Sequence, residues 1–321
     1  MPNNDNYLRP TLIENYFGQK TIIEELKVYI FSAKKRKTVL DHMLFYGPPG
    51  LGKTSLAYVV ANEMKAKIVT VSASAIKEIQ DMVSILGTLD PGDILFIDEI
   101  HNLDREVEEI LYSAMEDFKI NITYKSEENS KAITLDLSPF TLIGATTMAG
   151  SISTPLRDRF GIIFKFNYYT SNELKEIIQN NAKKIHLHLL VSAIKEIAAR
   201  SRKTPRVANN ILKRILDYSV FYGIKKFDEQ NILEAFKFLN INEFGLSEVD
   251  IQILSCLSKK FGGKPVSLEA VASVLNENVI NIRDINEPYL VNSGFIERTK
   301  QGRQITKTGV EILTKIIKKN D

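Results

Sequence analysis

The sequence predicts an α/β domain built on a parallel sheet, followed by a helical lid and a winged-helix domain. Three observations carry that expectation. Short apolar runs alternate with amphipathic segments through the first half, four helical segments without strands run from Ser171 to Asn240, and after Gly245 short helices give way to a small hairpin.

In order along the chain, Met43 to Tyr46, Ile68 to Val71, Ile94 to Ile97 and Thr141 to Ala145 read as buried strands, because each is a short, continuous apolar run. The helical crossovers between them call for parallel pairing. Arg105 to Phe118 reads as a helix, with Val107, Ile110, Leu111, Ala114, Met115 and Phe118 on one face. Alternation at Ile120, Ile122 and Tyr124, and again at Ile133, Leu135 and Leu137, predicts a hairpin whose tip is the polar stretch from Lys125 to Lys131. The lid is expected from Asn172 to Ile185, Ser192 to Ser201, Pro205 to Tyr222 and Asp228 to Leu239. Three further short helical segments, then Gly294 to Arg298, a Gln301-Gly302 turn and Arg303 to Thr306, suggest a winged helix-turn-helix. The expected boundaries are 1–166, 167–240 and 241–321.

Composition sets wider bounds. With 321 residues, 44% hydrophobic and 25% charged, the chain has the make-up of a globular protein with two or three cores, which excludes disordered and collagen-like classes. It has no run of eighteen apolar residues and begins with the polar Met1 to Asp5, so the expected location is the cytoplasm, away from membranes. The single cysteine, Cys256, lies in an apolar run without metal-ligand spacing and reads as a buried, inert thiol. A net charge of +3 does not by itself argue for nucleic acid. Its placement is uneven: seven Lys or Arg face Glu311 and Asp321 between Arg298 and Asp321, a basic region that also reads as a solvated helix face.

The strongest motif is Gly47-Pro48-Pro49-Gly50-Leu51-Gly52-Lys53-Thr54, which fits G-x-x-x-x-G-K-[ST] between the strand ending at Tyr46 and the helix-forming Ser55 to Ala61. Its glycines let backbone N–H groups approach phosphates, Lys53 reaches the terminal phosphates and Thr54 ligates Mg²⁺. Ile94 to Ile97 delivers Asp98 and Glu99 to the same sheet edge, where Asp98 suits the Mg²⁺ shell and Glu99 the attacking water. Taken alone, the two acids also suit an ordinary helix N-terminus. His101 completes a D-E-x-H string and reads as a supporting residue.

Both motifs occur in many phosphate-loop ATPases. A longer series is more specific: Leu8 to Pro10, Leu40 to His42, Gly47 to Thr54, Leu95 to His101, Glu108 to Tyr112, Ala114 to Asp117, Phe140 to Thr147, Pro155 to Gly161, Thr204 to Arg206, Glu287 to Leu290 and Gly294 to Arg303. In this order, and over nearly the whole chain, the sequence resembles the RuvB family of AAA+ Holliday-junction branch-migration ATPases. The resemblance implies an ATP/ADP- and Mg²⁺-dependent motor on four-way junctions and duplex DNA. It also implies a homo-hexamer that docks on RuvA through the hairpin at 120–136 and meets RuvC in the resolving complex. Ile120, Ile122, Ile133 and Leu135 either form that docking face or pack inward.

By the same resemblance Thr146 corresponds to the sensor of the γ-phosphate, Arg159 to the arginine finger entering the neighbouring subunit, and Arg206 to the second sensor on the lid. Leu8, Arg9 and Tyr169 match adenine-side contacts, and Gly50, Leu51, Gly52, Ser55 and Glu116-Asp117-Phe118 match other nucleotide contacts. Arg298 and Arg303 match DNA-phosphate contacts on the wing. Each has a plainer reading: a surface ion pair for Arg159, a solvated helix residue for Arg206, and charges that keep a hairpin soluble for Arg298 and Arg303. The sequence departs from the family pattern at Asn102, Met148, Lys203 and Lys264, and its hairpin tip lacks a Gly-Pro-rich stretch. An initiator or clamp-loader-like AAA+ switch, or a protein remodeller, would share the ATP motifs.

Overall fold

A computed structural model describes residues 5–125 and 130–320. They form two compact units, Met1–Tyr169 and Thr170–Asp321.

The first unit opens with 3-10 turns at Asp5–Leu8 and Ile13–Asn15, then α1 (Lys20–Arg36), β1 (Met43–Tyr46), α2 (Lys53–Met64), β2 (Ile68–Ser72), α3 (Ile79–Gly87) and β3 (Ile94–Asp98). It continues with α4 (Arg105–Asp117), the hairpin β4 (Lys119–Lys125) and β5 (Ser130–Asp136), then β6 (Thr141–Thr146), α5 (Thr154–Arg157) and β7 (Ile162–Lys165). Five strands pair in the order β2-β3-β6-β1-β7, and every pairing is parallel. The central strands are buried from Met43 to Phe45, from Ile94 to Ile97 and throughout Thr141–Thr146, as expected of a sheet covered on both faces. β7 is the strand that the sequence did not reveal: its burial alternates and Ile163 is 41% exposed, so it lacks a continuous apolar run.

α4 buries Val107, Ile110, Leu111, Ala114 and Met115 and ends at Phe118, whose φ of 52° turns the chain into the hairpin. Leu137 N–H donates to Phe118 O at 2.7 Å and closes the hairpin base. Ile120 is buried in the core beside α4, whereas Ile133 and Leu135 are 45% and 41% exposed. Inward packing and an outward apolar flank therefore coexist in one hairpin. The polar tip at 126–129 and the Ile122 side chain lie outside the described residues.

The second unit contains α6 (Ser171–Lys184), α7 (Val191–Arg200), α8 (Pro205–Tyr222) and α9 (Glu229–Phe238), followed by α10 (Glu248–Ser255) and α11 (Leu268–Leu275). Then come α12 (Val279–Asn281), α13 (Glu287–Asn292), β8 (Ile296–Thr299), β9 (Gly302–Ile305) and α14 (Lys307–Asn320). Helix starts carry side-chain caps: Thr170 with Glu173, Thr204 ahead of Pro205, Asp228, and Ser247 with Asp250. Cys256 is buried among Leu254, Leu257 and Leu290, in keeping with an inert thiol. α14 buries Ile312, Leu313 and Ile316, so the basic C-terminal segment is one face of a packed helix.

His42 shows how the first unit is tied together. Leu142 N–H donates to its Nδ1 at 2.8 Å, which leaves Nε2 to carry the proton and donate to Met115 O at 3.0 Å. One neutral ring thus joins β6 to the end of α4. Burial holds its pKa below the ordinary 6.5, against smaller opposing effects of the Met115 bond and Asp41. The folded chain accordingly binds fewer protons here than the unfolded one, and stability should fall as pH drops below about 6.5. Thermal unfolding midpoints measured across that window should decline less in His42→Gln than in the native chain.

Candidate nucleotide site

The phosphate loop follows β1 and owes its shape to glycines at three positive φ angles, 144° at Gly47, 79° at Gly50 and 98° at Gly52. A Cβ at Gly47 would lie 2.5 Å from Phe166 O, and one at Gly52 would lie 2.7 Å from Tyr16 Oη, so two of the three positions exclude a side chain on space as well as on backbone angle. Lys53 begins α2, is 7% exposed, and its Nζ donates to Gly47 O at 2.7 Å and Pro48 O at 3.1 Å. The ammonium therefore sits inside the loop's own curve, with Thr54 and Ser55 half-buried after it.

Two tyrosines brace the loop's far end. Tyr169 donates to Leu51 O at 3.1 Å, and its hydroxyl lies 3.4 Å from Tyr16 Oη, which in turn lies 3.5 Å from Gly52 O. Burial, with Tyr169 adding to it, raises the Tyr16 pKa well above the ordinary value, so the hydroxyl stays protonated. Tyr16 is a site residue that sequence reading missed, since it belongs to no motif and no periodic segment. Leu8 is buried nearby in sequence, and the Arg9 guanidinium lies 5.8 Å from the Tyr58 ring centroid on α2.

Parallel register brings the acids to the same edge: Ile97 pairs with Gly144, and Tyr46 pairs with Thr146. Asp98 ends β3 and its Oδ1 accepts from Glu99 N–H at 3.1 Å, while Glu99 turns the chain with a φ of 49°. Glu99 Oε2 accepts from Thr147 N–H and Thr147 Oγ1, both at 3.0 Å, and lies 3.2 Å from His101 Nδ1. Thr146, fully buried, bonds instead with His101 Nδ1 at 2.9 Å and accepts from Met148 N–H at 2.9 Å. The contact with Glu99 is thus made by Thr147, the neighbour of the threonine singled out from sequence, with His101 between the two.

Arg159 lies beside α4: its Nη1 donates to Pro155 O at 2.7 Å, and its guanidinium carbon sits 4.4 Å from the Tyr112 ring centroid. Its Nε is 3.2 Å from Glu116 Oε1, yet makes no hydrogen bond, so the pair is held by charge alone. Glu116 is 56% exposed, which limits such a pair to about 1 kcal/mol at most. Asp117 is exposed and Phe118 half-buried. In the second unit, Arg206 is exposed in the first turn of α8. Arg298 and Arg303 are cross-strand partners on β8 and β9, and both reach the fully buried Glu287, at 2.7 Å and 2.9 Å. Arg298 is 58% exposed and Arg303 25%, so the first is the freer of the two.

No cluster of three or more His, Cys, Asp or Glu side chains with metal-binding geometry occurs among the described residues. A loop that surrounds a lysine, a strand-end acid pair and a polar residue on the adjacent strand is the arrangement of a phosphate-loop nucleoside triphosphatase.

Comparison with protein families then sorts the chain further. Residues 8–166 match the Holliday junction DNA helicase RuvB P-loop domain, residues 169–242 the RuvB AAA lid domain, and residues 243–314 the RuvB C-terminal winged helix domain. The chain belongs to the RuvB family. It is 46% identical over 306 residues to the Holliday junction branch migration complex subunit RuvB of two Limosilactobacillus reuteri strains, DSM 20016 and JCM 1112, covering 95% of this chain and 90% of each relative. Among solved structures it is similar to the Thermotoga maritima RuvB Holliday junction branch migration motor, with a TM-score of 0.87, 40% identity and coverage of 96% and 98% of the two chains. As a RuvB-family member it is a nucleotide-binding P-loop ATPase with a DNA-binding winged helix.

Family membership gives the departures a physical reading. Lys203 has a φ of 56°, a backbone angle that favours glycine, and Met148 contributes its backbone N–H to Thr146 Oγ1. Asn102 is exposed in the 3-10 turn after Glu99. Lys264 follows Gly262 and Gly263, whose φ angles are 60° and 73°.

Thr147→Val removes the hydroxyl donor to Glu99 while keeping the fold of β6. A hydrogen bond to a carboxylate is worth about 1.5–3 kcal/mol, so kcat for ATP should fall by roughly tenfold or more, with ADP affinity within about twofold of native. Steady-state kinetics and ADP titration calorimetry check the two halves.

Proposed function

We propose that this chain is the ATP-driven motor subunit that moves Holliday junctions along duplex DNA during recombination and repair in the cytoplasm. The observation that carries the reading is the presence, in one chain, of a complete P-loop site and a winged helix, each matching its RuvB counterpart in order. Among the described residues, no helix is long and apolar enough to cross a membrane. In this reading residues 1–166 hydrolyse ATP, 167–240 report the nucleotide state, and 241–321 hold DNA.

Lys53 follows the β- and γ-phosphates, and the loop's backbone N–H groups and the α2 N-terminus complement their charge. Thr54 would ligate Mg²⁺ directly and Asp98 would hold it through water, and the ion's charge would neutralise the phosphates. Two donors, the N–H and the hydroxyl of Thr147, converge on Glu99 Oε2, so Oε1 is the oxygen that orients the attacking water. Thr146 is the sensor of the γ-phosphate or attacking water, its hydroxyl held by His101 and Met148 N–H. Leu8, Arg9 and Tyr169 line the adenine side, while Gly50, Leu51, Gly52, Ser55 and the turn from Glu116 to Phe118 complete the nucleotide contacts. Arg206 is the lid's sensor, and Arg298 and Arg303 contact phosphates without reading sequence.

Arg159 acts across a subunit boundary in a hexameric ring. Its shallow pairing with exposed Glu116, and an Nε lacking a hydrogen bond, support a guanidinium that is readily transferred to a neighbour's phosphates. An exposed aromatic cluster on the lid supports assembly: Tyr222 and Phe238 are 50% and 59% exposed, Phe221 is 80% exposed, and the rings of Tyr218 and Tyr222 lie 4.5 Å apart. The exposed Ile133 and Leu135 flank supports docking on RuvA, with RuvC joining in the resolving complex.

Lys53→Ala should abolish ATP turnover. Mixing Lys53→Ala with Arg159→Ala chains should restore part of it, because each supplies its intact half to a shared site; mixtures that form rings yet stay inactive would sink the trans role of Arg159. A synthetic four-way junction should migrate with ATP and stall with ADP, faster when RuvA is present. ATP-driven protein unfolding without junction movement would instead favour a remodeller.

A further inference from the structure

A line of buried polar contacts in the second unit runs from the loop before Arg206 to the wing. Arg202 lies between α7 and α8, four positions ahead of Arg206. It and Lys203 both adopt left-handed backbone angles, with φ of 50° and 56°, so the loop has a fixed and strained shape. Arg202 Nη2 donates to Asp250 Oδ2 at 2.6 Å, and its Nε donates to Gly245 O at 2.6 Å. Its guanidinium carbon sits 5.1 Å from the Tyr289 ring centroid. Asp250 belongs to α10 of the winged helix and is fully buried.

The other oxygen of Asp250 continues the line. Oδ1 accepts from Asn286 Nδ2 at 2.6 Å, and the next residue, Glu287, also fully buried, holds Arg298 and Arg303. Four contacts of 2.6–2.9 Å thus connect the lid loop to both wing arginines. The linker between lid and wing has little slack. Asn242 Oδ1 accepts from Phe244 N–H and Leu246 N–H at 3.0 Å each, and a Cβ at Gly245 would lie 2.4 Å from Arg200 O.

Buried carboxylates cannot leave their partners without being stranded in an apolar interior, so such a line shifts as a whole or not at all. A motion at the N-terminus of α8 would displace Arg202, and Asp250 would pass the displacement to Asn286, Glu287 and the wing. We propose that Arg202, Asp250 and Asn286 are positioning residues that couple nucleotide state at the lid to the grip of the wing on DNA. The proposal rests on the reading of Arg206 as a nucleotide sensor and of the wing as a DNA contact.

The experiment measures the affinity of the full chain for a fluorescent DNA duplex by anisotropy, once with ADP and once with a non-hydrolysable ATP analogue. The native chain should show a ratio of at least about fivefold between the two states, the lower end of ordinary allosteric coupling. In the double variant Arg202→Gln with Asp250→Asn, which removes both charges together, that ratio should approach one. Affinity in the weaker-binding state and basal ATP turnover should stay within about twofold of native. Asn286→Ala, which removes a neutral partner, should lower the ratio in the same direction and serves if the double variant does not fold. Arg283→Gln, which breaks the exposed pair with Asp284, should leave it unchanged.

A folded double variant that keeps the native ratio overturns the proposal. So does a native chain whose DNA affinity ignores the nucleotide, or an equal loss of affinity in both states, which would mean that the wing is merely displaced. Junction migration by the native chain is read separately. If it fails while the ratio responds as expected, the motor reading falls and the coupling line stands; if it succeeds while the ratio is unmoved in the double variant, only the coupling line falls.

Discussion

The parallel register of β3, β6 and β1 is the constraint from which the ATP site follows. All strands of the sheet point the same way, so the loop after β1, the acids ending β3 and the threonines ending β6 must emerge at one edge. A slip of one residue in β3 would turn Asp98 to the other face of the sheet and shift both acids along the edge relative to the phosphate loop. The apolar runs that fill the core therefore also aim the chemistry. His42 reinforces the arrangement, since one imidazole fixes β6 against the end of α4, and α4 carries Glu116 close to Arg159.

Much of this frame is legible in the sequence. Apolar runs reveal β1, β2, β3 and β6, and alternation reveals the hairpin; β2, expected to be buried, is an edge strand whose side chains are half-buried or exposed. β7 escapes because a four-residue edge strand with every second side chain exposed carries too little pattern. In the site, Lys53, Asp98 and Glu99 are legible because phosphate chemistry demands those residue types at fixed spacings. Thr147 and Tyr16 escape because nothing local distinguishes them, whereas His101 is legible as a supporting residue from its place in the D-E-x-H string. Thr146 and Thr147 are adjacent and identical, and only the three-dimensional arrangement decides which one meets Glu99. Asp250 and Glu287 escape for a related reason: both sit in first turns of helices, where acids are common, and their burial beside arginines comes from contacts 36 to 48 residues away for Asp250 and 11 to 16 away for Glu287.

The lid and the winged helix illustrate a different limit. Gly245 and the change of pattern around it read as a boundary, and boundaries suggest independent motion. In the structure Gly245 is glycine because Arg200 O approaches it closely, and its carbonyl accepts from Arg202. A residue type that often marks a hinge here marks a weld. Two regions that match separate family domains consequently pack as one compact unit.

The hairpin has a consequence for the cell that holds this protein. Among the described residues β4 and β5 pair only with each other, so each keeps an open backbone edge, and Ile133 and Leu135 add apolar surface to it. Unsatisfied edges of this kind are templates for indiscriminate strand addition. A chain synthesised in excess of whatever shields that flank is prone to aggregation, and the burden falls on matched stoichiometry during expression rather than on the stability of the fold.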